Sequence, residues 1–374
     1  MDWSAFRSHF PVTRRWVFLD HAAVAPLPDV AVAALNEYGN SLAENGIAAI
    51  REQVARVAHV RSRSAKLINA PSVDDVFFVP NTTHGIGIVA EGFPWQPGDN
   101  VVLPAEEYPA NQYPWMNLAS RGVEVRRVPS RGNRVHIDDL RAAMDERTRV
   151  LAVSFVEFAS GFRNDLDALG ALCREKGVFF FVDAIQGLGV FPLDVQRTPI
   201  DALAADGHKW LLGPEGAGIG YVRREWVERL HPIGVGAHSV VRPFQYSTID
   251  FKLKPHGGRF EGGALNLPGI HAFGASLDLL LEAGIENVRD RVLELTDHLC
   301  ENAARAGLTV FSSREPNERS GIVSMEKPRV PPEVIVKICR EAGIIVNFRG
   351  GRLRVSPHAY NTMEEIEKLI RVIS

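Results

Sequence analysis

The chain has 374 residues, 45% of them hydrophobic and 23% charged, with a formal net charge of −3. That length exceeds one small core and implies a large domain plus a smaller one, and the charge balance argues against nucleic-acid binding. Three isolated cysteines, Cys173, Cys300 and Cys339, argue against a disulfide framework or a metal site, and no apolar run suits a signal peptide or a membrane span. These traits suit a reducing, cytoplasmic compartment.

Strands alternate with helices from residue 76 onward. Residues 76–79 read as a strand and 83–90 as the helix after it. Further strands are expected over 101–103, 123–128, 150–155 and 178–182, with helices over 110–120, 137–144 and 167–176 between them. The strand over 178–182 is so apolar that both its faces must be covered. That places helices on both sides of a mainly parallel sheet. Residues 217–222 return as a last strand, and the Gly-, Pro- and His-rich stretch 236–268 reads as loops. A long helix over 285–306 follows, then short strands near 308–311 and 322–325. A helix over 332–342, a strand pair within 344–355 and a helix over 362–373 complete a small α+β domain. The expected division is an N-terminal segment (1–16) packing with the small domain, a large domain (17–265) and the small domain (266–374).

The chemistry centres on Lys209, in Asp206-Gly207-His208-Lys209-Trp210, with a glycine-rich run at 213–218 behind it. Upstream, Val182-Asp183-Ala184-Ile185-Gln186 puts an acid at the end of an apolar strand. A lysine amine forms a Schiff base with an aldehyde. Pyridoxal phosphate (PLP) also needs a carboxylate beside its ring nitrogen, so that the ring accepts electrons. Asp183 suits that role, and Gln186 is placed to reach the phenolic oxygen. Thr82 and Thr83 stand where a strand gives way to a helix, whose free N–H groups can hold a phosphate; Asn81 or Thr82 acting only as a helix cap is the alternative. His208 can donate to the same phosphate. Tyr108 follows the next strand, at the edge where ligands of α/β sheets collect, and can stack on a flat cofactor. Arg354, in Leu353-Arg354-Val355-Ser356, suits a substrate carboxylate, with Arg349 and Arg352 close enough to compete. Gly85-Ile86-Gly87-Ile88-Val89-Ala90 fits a dinucleotide motif but begins five residues beyond the strand, so a nicotinamide dehydrogenase is set aside.

With these residues assembled, the chain resembles the class V aminotransferase family, PLP enzymes of fold type I. Within it, the chain is similar to an isopenicillin N epimerase-like or cysteine desulfurase-like branch. The resemblance runs from Phe18-Leu19-Asp20-His21-Ala22-Ala23 to the segment Leu353-Arg354-Val355-Ser356-Pro357-His358-Ala359-Tyr360-Asn361-Thr362. It implies an α/β fold with a large PLP-binding domain and a smaller α+β domain, a small amino-acid substrate, and a homodimer with its site at the interface. Lys209 would carry the Schiff base and shuttle protons, and Asp183 and Gln186 would hold the ring. Thr82, Thr83 and His208 would hold the phosphate, Tyr108 would stack, and Arg354 would take the carboxylate. The loop containing Gly263 and Ala264 would reach the neighbouring subunit's phosphate. Ala264 replaces a common threonine there, so only backbone donors remain.

Other departures concern Asp206, found where many relatives have serine and expected to point away from an anion, and Phe158, near where desulfurases carry an asparagine. Desulfurases also have a nucleophilic cysteine shortly before the arginine segment. Residues 343–354 contain none, so a persulfide-forming desulfurase is not expected. Transamination, elimination (a carbon–sulfur lyase) and epimerisation share their first step, and the resemblance leaves them open. A PLP-binding regulator without turnover is the contrasting reading.

Overall fold

The computed structural model describes residues 1–245 and 247–374. In chain order the strands are β1 (Val17–Phe18), β2 (Val76–Val79), β3 (Asn100–Pro104), β4 (Glu124–Val128), β5 (Thr148–Ser154), β6 (Phe179–Asp183), β7 (Ala202–Asp206) and β8 (Gly218–Val222). Then come β9 (Thr309–Val310), β10 (Val323–Glu326), β11 (Ile344–Ile345), β12 (Asn347–Arg349) and β13 (Arg352–Val355). Strands β2 to β8 form one sheet in the order β2-β8-β7-β6-β5-β3-β4. All neighbours are parallel except β8, which runs antiparallel between β2 and β7. Side chains alternate across the sheet. Phe180 and Val182 pack on one face with Leu169 and Leu277, whereas Phe179 and Phe181 pack on the other with Ile86 and Trp115. Helices therefore cover both faces, as the apolar strand demanded. The carboxyl ends of β5, β6 and β7 bring Ser154, Asp183 and Asp206 to one edge.

A second sheet, β12-β13-β10-β9, packs Leu353 and Val355 against Leu295, Leu299, Ile366 and Leu369. The chain's beginning is tied to this unit. Strand β1 pairs in parallel with β11, Phe10 stacks on Tyr360 with ring centroids 4.0 Å apart, and Arg7 meets Glu365 at 2.7 Å.

Several elements differ from expectation. The helix expected over 110–120 is a series of short pieces: a 3-10 turn Pro109–Asn111, a helix Tyr113–Met116 and a 3-10 stretch Asn117–Arg121. Pro109 and Pro114 each lack the N–H that a continuous helix would use. Strand β7 and the helices Asp29–Asn45, Ile50–Leu67 and Leu267–Ala283 had no counterpart in the sequence reading. The last of these packs on the first two. The glycines of the discounted dinucleotide motif lie inside the helix Thr82–Gly92. A Cβ on Gly85 would sit 2.4 Å from that of Ala204, so the glycine serves close packing on β7. Among the described residues no helix is long and apolar enough to cross a membrane.

Candidate active site

A cavity of about 320 Å³ opens at the carboxyl edge of the large sheet. Thr82, Thr83, Tyr108, Asp183, Gln186, His208, Lys209 and Arg354 all line it. Gly263 and Ala264 do not; both are exposed on the surface.

Lys209 enters from the turn after β7. Gly207 makes that turn possible, because a Cβ there would lie 2.5 Å from the Ala217 carbonyl oxygen. Lys209 is 9% exposed. Burial lowers its amine to about 8, although Asp183 pulls the other way. Its Nζ lies 5.6 Å from the centre of the Tyr108 ring, and Phe158 meets that ring edge-on at 5.2 Å.

Asp183 ends β6 and is 2% exposed. Its Oδ1 accepts the Ile185 N–H at 3.1 Å. Burial pushes the carboxyl up to about 6, against that hydrogen bond and the nearby Lys209. Asp183 and Lys209 sense each other without forming a salt bridge, and a protonated ring nitrogen would give the carboxylate a direct partner. Gln186 is fixed in place: its Nε2 donates to the Ala22 carbonyl at 3.0 Å, and its Oε1 accepts from Trp210 Nε1 at 2.9 Å.

The opposite end of the cavity is the start of the helix Thr82–Gly92. Asn81 caps it, its Oδ1 accepting the His84 N–H at 2.8 Å, and a cap supplied by Asn81 does not preclude a phosphate at Thr82 and Thr83. The first-turn N–H groups of Thr82 and Thr83 have no helical carbonyl to meet. Thr82 Oγ1 accepts from Asp206 N at 3.0 Å. Asp206 also lines the cavity. Its Oδ1 accepts the Gly207 N–H at 2.7 Å and its Oδ2 lies 2.9 Å from His208 Nδ1, off the line of a good hydrogen bond. A buried amine facing a buried carboxylate, with a helix N-terminus and an imidazole opposite, fits PLP.

At the substrate end, Arg354 is 2% exposed. Its Nη2 donates to Asp20 Oδ1 at 3.2 Å and its Nη1 to the Phe158 carbonyl at 3.0 Å. Arg349 also lines the cavity, but Arg352 does not. Sequence reasoning gave no role to Asp20, although it stands in the quoted opening segment. It also missed Glu107, beside Tyr108. Glu107 is 2% exposed and accepts from Ser154 N and Oγ. Burial and then the neighbouring Glu157 raise its carboxyl far above the usual range. Glu157 is raised too, first by burial. Three buried acids therefore crowd behind the ring position, and nothing in their sequence spacing announces it.

No cysteine lines the cavity. Cys173 and Cys339 are buried and Cys300 is half-buried, and burial raises all three thiols.

The fold and this constellation define a PLP-dependent enzyme. The aminotransferase class-V family model matches residues 17–369, and the chain belongs to that family. A probable cysteine desulfurase of Methanothermobacter thermautotrophicus is 31% identical, with 97% of this chain and 95% of the relative covered. A cysteine desulfurase of Cronobacter sakazakii is likewise 31% identical over the same shares. Among solved structures, the cysteine desulfurase CsdA of Escherichia coli is 26% identical with a TM-score of 0.90, covering 100% of this chain and 98% of that one. The cystine C-S lyase C-DES, solved with cysteine persulfide, shares the fold at 24% identity and a TM-score of 0.90, covering 97% and 98%.

Proposed function

We propose that this PLP enzyme acts at the α-carbon of a small amino acid and expels a sulfur-bearing β-substituent. It would be a carbon–sulfur lyase of the isopenicillin N epimerase-like branch, working as a cytoplasmic homodimer. The observation that carries this is Lys209, Asp183 and Arg354 around one cavity that no cysteine enters. The relatives' names favour carbon–sulfur cleavage over transamination or epimerisation. The distant cysteines favour release of sulfur over its transfer to a protein thiol. Surface exposure of Gly263 and Ala264 leaves them free to serve a second copy.

Bound PLP supplies an aldehyde for the substrate amine and a ring that accepts electrons from Cα. Arg354, backed by Asp20, offers two N–H groups to the substrate carboxylate and so orients the Cα–H bond. Lys209 would hold the cofactor and, once freed, would take the Cα proton. With its amine lowered to about 8, a useful fraction is unprotonated near neutral pH. Asp183 would stand beside the ring nitrogen and keep it protonated. The C–S bond then breaks with both electrons on sulfur, and the three-carbon remainder hydrolyses to pyruvate and ammonia.

The test is product analysis with L-cysteine and S-substituted cysteines. Pyruvate with ammonia and a free sulfur product supports elimination. Alanine with a persulfide on the protein would restore the desulfurase reading. Keto acid without sulfur release, or inverted amino acid, would leave only the family.

A further inference from the structure

Gln186 lines the active-site cavity and is 4% exposed. Its two hydrogen-bond partners are of opposite kind. The Ala22 carbonyl can only accept, and it takes the Nε2 donor at 3.0 Å. The Trp210 indole can only donate, and it meets Oε1 at 2.9 Å. A flipped amide would set oxygen against oxygen and N–H against N–H, leaving both buried hydrogen bonds unmade. The side chain therefore has one orientation. Its Oε1 is turned to the indole and one Nε2 hydrogen to Ala22. The second Nε2 hydrogen meets no acceptor among the described residues.

Both partners are held by the closing segment of the chain. The Ala22 N–H donates to Ser356 Oγ at 3.0 Å. The Trp210 carbonyl oxygen lies 3.3 Å from His358 Nε2, and the indole stacks on the His358 ring with centroids 5.9 Å apart. Trp210 is 1% exposed. Gly321 leaves space for the far edge of the indole, since a Cβ there would lie 2.6 Å from its Cη2. Packed in this way, the indole has little room to turn away from Gln186. Trp210 itself does not line the cavity.

We propose that Trp210 is a positioning residue that fixes the polarity of Gln186, so that the cofactor's phenolic oxygen meets an N–H and never a carbonyl. The inference rests on PLP attached at Lys209 and holds whichever amino acid is the substrate. A donor at that oxygen stabilises its anionic form. The anion gains most once the Lys209–cofactor linkage beside it has lost its proton, because the oxygen then has no internal N–H to meet. The lock should therefore lower the pH at which the linkage loses its proton. An amide free to flip would turn its own oxygen to the anion, and the advantage would be lost.

The test is a pH titration of the PLP-loaded enzyme without substrate, read from the cofactor's visible absorbance. Gln186→Met removes the donor and should raise the midpoint by about 1 pH unit, the worth of one hydrogen bond to a charged oxygen. Trp210→Phe keeps the amide but removes the indole N–H, and should raise the midpoint by a smaller amount. Trp210→Met, whose flexible chain fills irregular space, takes its place if the phenylalanine variant does not fold. In a Gln186→Met background either Trp210 substitution should add nothing, since no amide is left to turn. Asp183, Asp206, His208, Glu215, Arg349 and Arg354 also line the cavity and are the same in every variant. A Trp210 with only a structural role would lose thermal stability and leave the midpoint unmoved, which overturns the inference. A downward shift does the same, as does a Trp210 shift that persists at full size in the Gln186→Met background. An unmoved midpoint in Gln186→Met takes the donor away from the cofactor and overturns it too. Absence of any pH-dependent absorbance in the wild type would overturn the Lys209 attachment and the inference with it.

Discussion

Arg354 and Asp20 form an ion pair at 3.2 Å with side chains 2% and 7% exposed. Burial pushes Asp20 up and Arg354 down, so desolvation outweighs the attraction on both sides. The pair therefore serves orientation more than stability, and breaking it leaves one charge stranded. Asp20→Ala is expected to cost about 3–5 kcal/mol in unfolding free energy. Asp20→Asn keeps the shape and should raise KM more than it lowers kcat. Arg354→Lys keeps the charge but loses the fork, and should weaken amino-acid binding while the cofactor still loads. Unchanged steady-state kinetics in Arg354→Ala, with loss of saturation in Arg349→Ala, would transfer the carboxylate to Arg349.

Lys209 is expected to be the sole point of covalent cofactor attachment. Borohydride reduction followed by peptide mass spectrometry should find the adduct on Lys209, and Lys209→Ala should remove it. An adduct on another lysine would displace the assignment.

Cofactor uptake by apoprotein should depend on pH through the same amine. Only the unprotonated lysine attacks an aldehyde, and its pKa is lowered to about 8. The rate of the absorbance change on mixing should climb with pH and level off just above 8, well short of an ordinary lysine near 10.5. Asp183 favours the charged amine, so Asp183→Asn should move the midpoint lower. A midpoint that moves upward would contradict the geometry.

Glu157 gives a stability signature. Its folded-state pKa is raised above the unfolded value of 4.5, so the unfolded chain releases the proton first. The native state has its full stability below that value and loses it as pH climbs toward the folded pKa. Glu157→Gln removes this decline. Urea denaturation should show little difference at pH 4.5 and a clear gain for the variant at pH 8. A gain confined to acid would reverse the sign and refute it.

Replacing Cys173, Cys300 and Cys339 together with alanine should cost about 1 kcal/mol per buried site and leave the products unchanged. A folded triple variant without activity would return a thiol relay to the mechanism.

The parts legible in the sequence were those with local signatures. Asp183 follows a run of apolar residues, Lys209 sits in a glycine-flanked turn, and Arg354 lies in a short strand. Strand β7, Ala-Leu-Ala-Ala-Asp, escaped notice because alanine carries little strand preference; its burial comes from its neighbours. The helix Leu267–Ala283 was hidden by Pro268, Gly269 and Gly274, although Pro268 sits in its first turn, where proline is tolerated. The three crowded acids were invisible for another reason. Glu107, Glu157 and Asp183 come from separate crossovers, and only the sheet order brings them together.

The pairing of β1 with β11, together with the Asp20–Arg354 link, bears on how the protein is made. Ala22 and Ala23 form one side of the cavity, yet the strand before them is aligned by residues more than three hundred positions later. On the ribosome the seven strands of the large sheet emerge first and can assemble, while the opening segment has nothing to pair with. The cavity is closed only once residues 344–356 leave the exit tunnel. Substrate competence therefore waits on that stretch, and nascent chains halted before residue 344 should hold the sheet without an anchored carboxylate site.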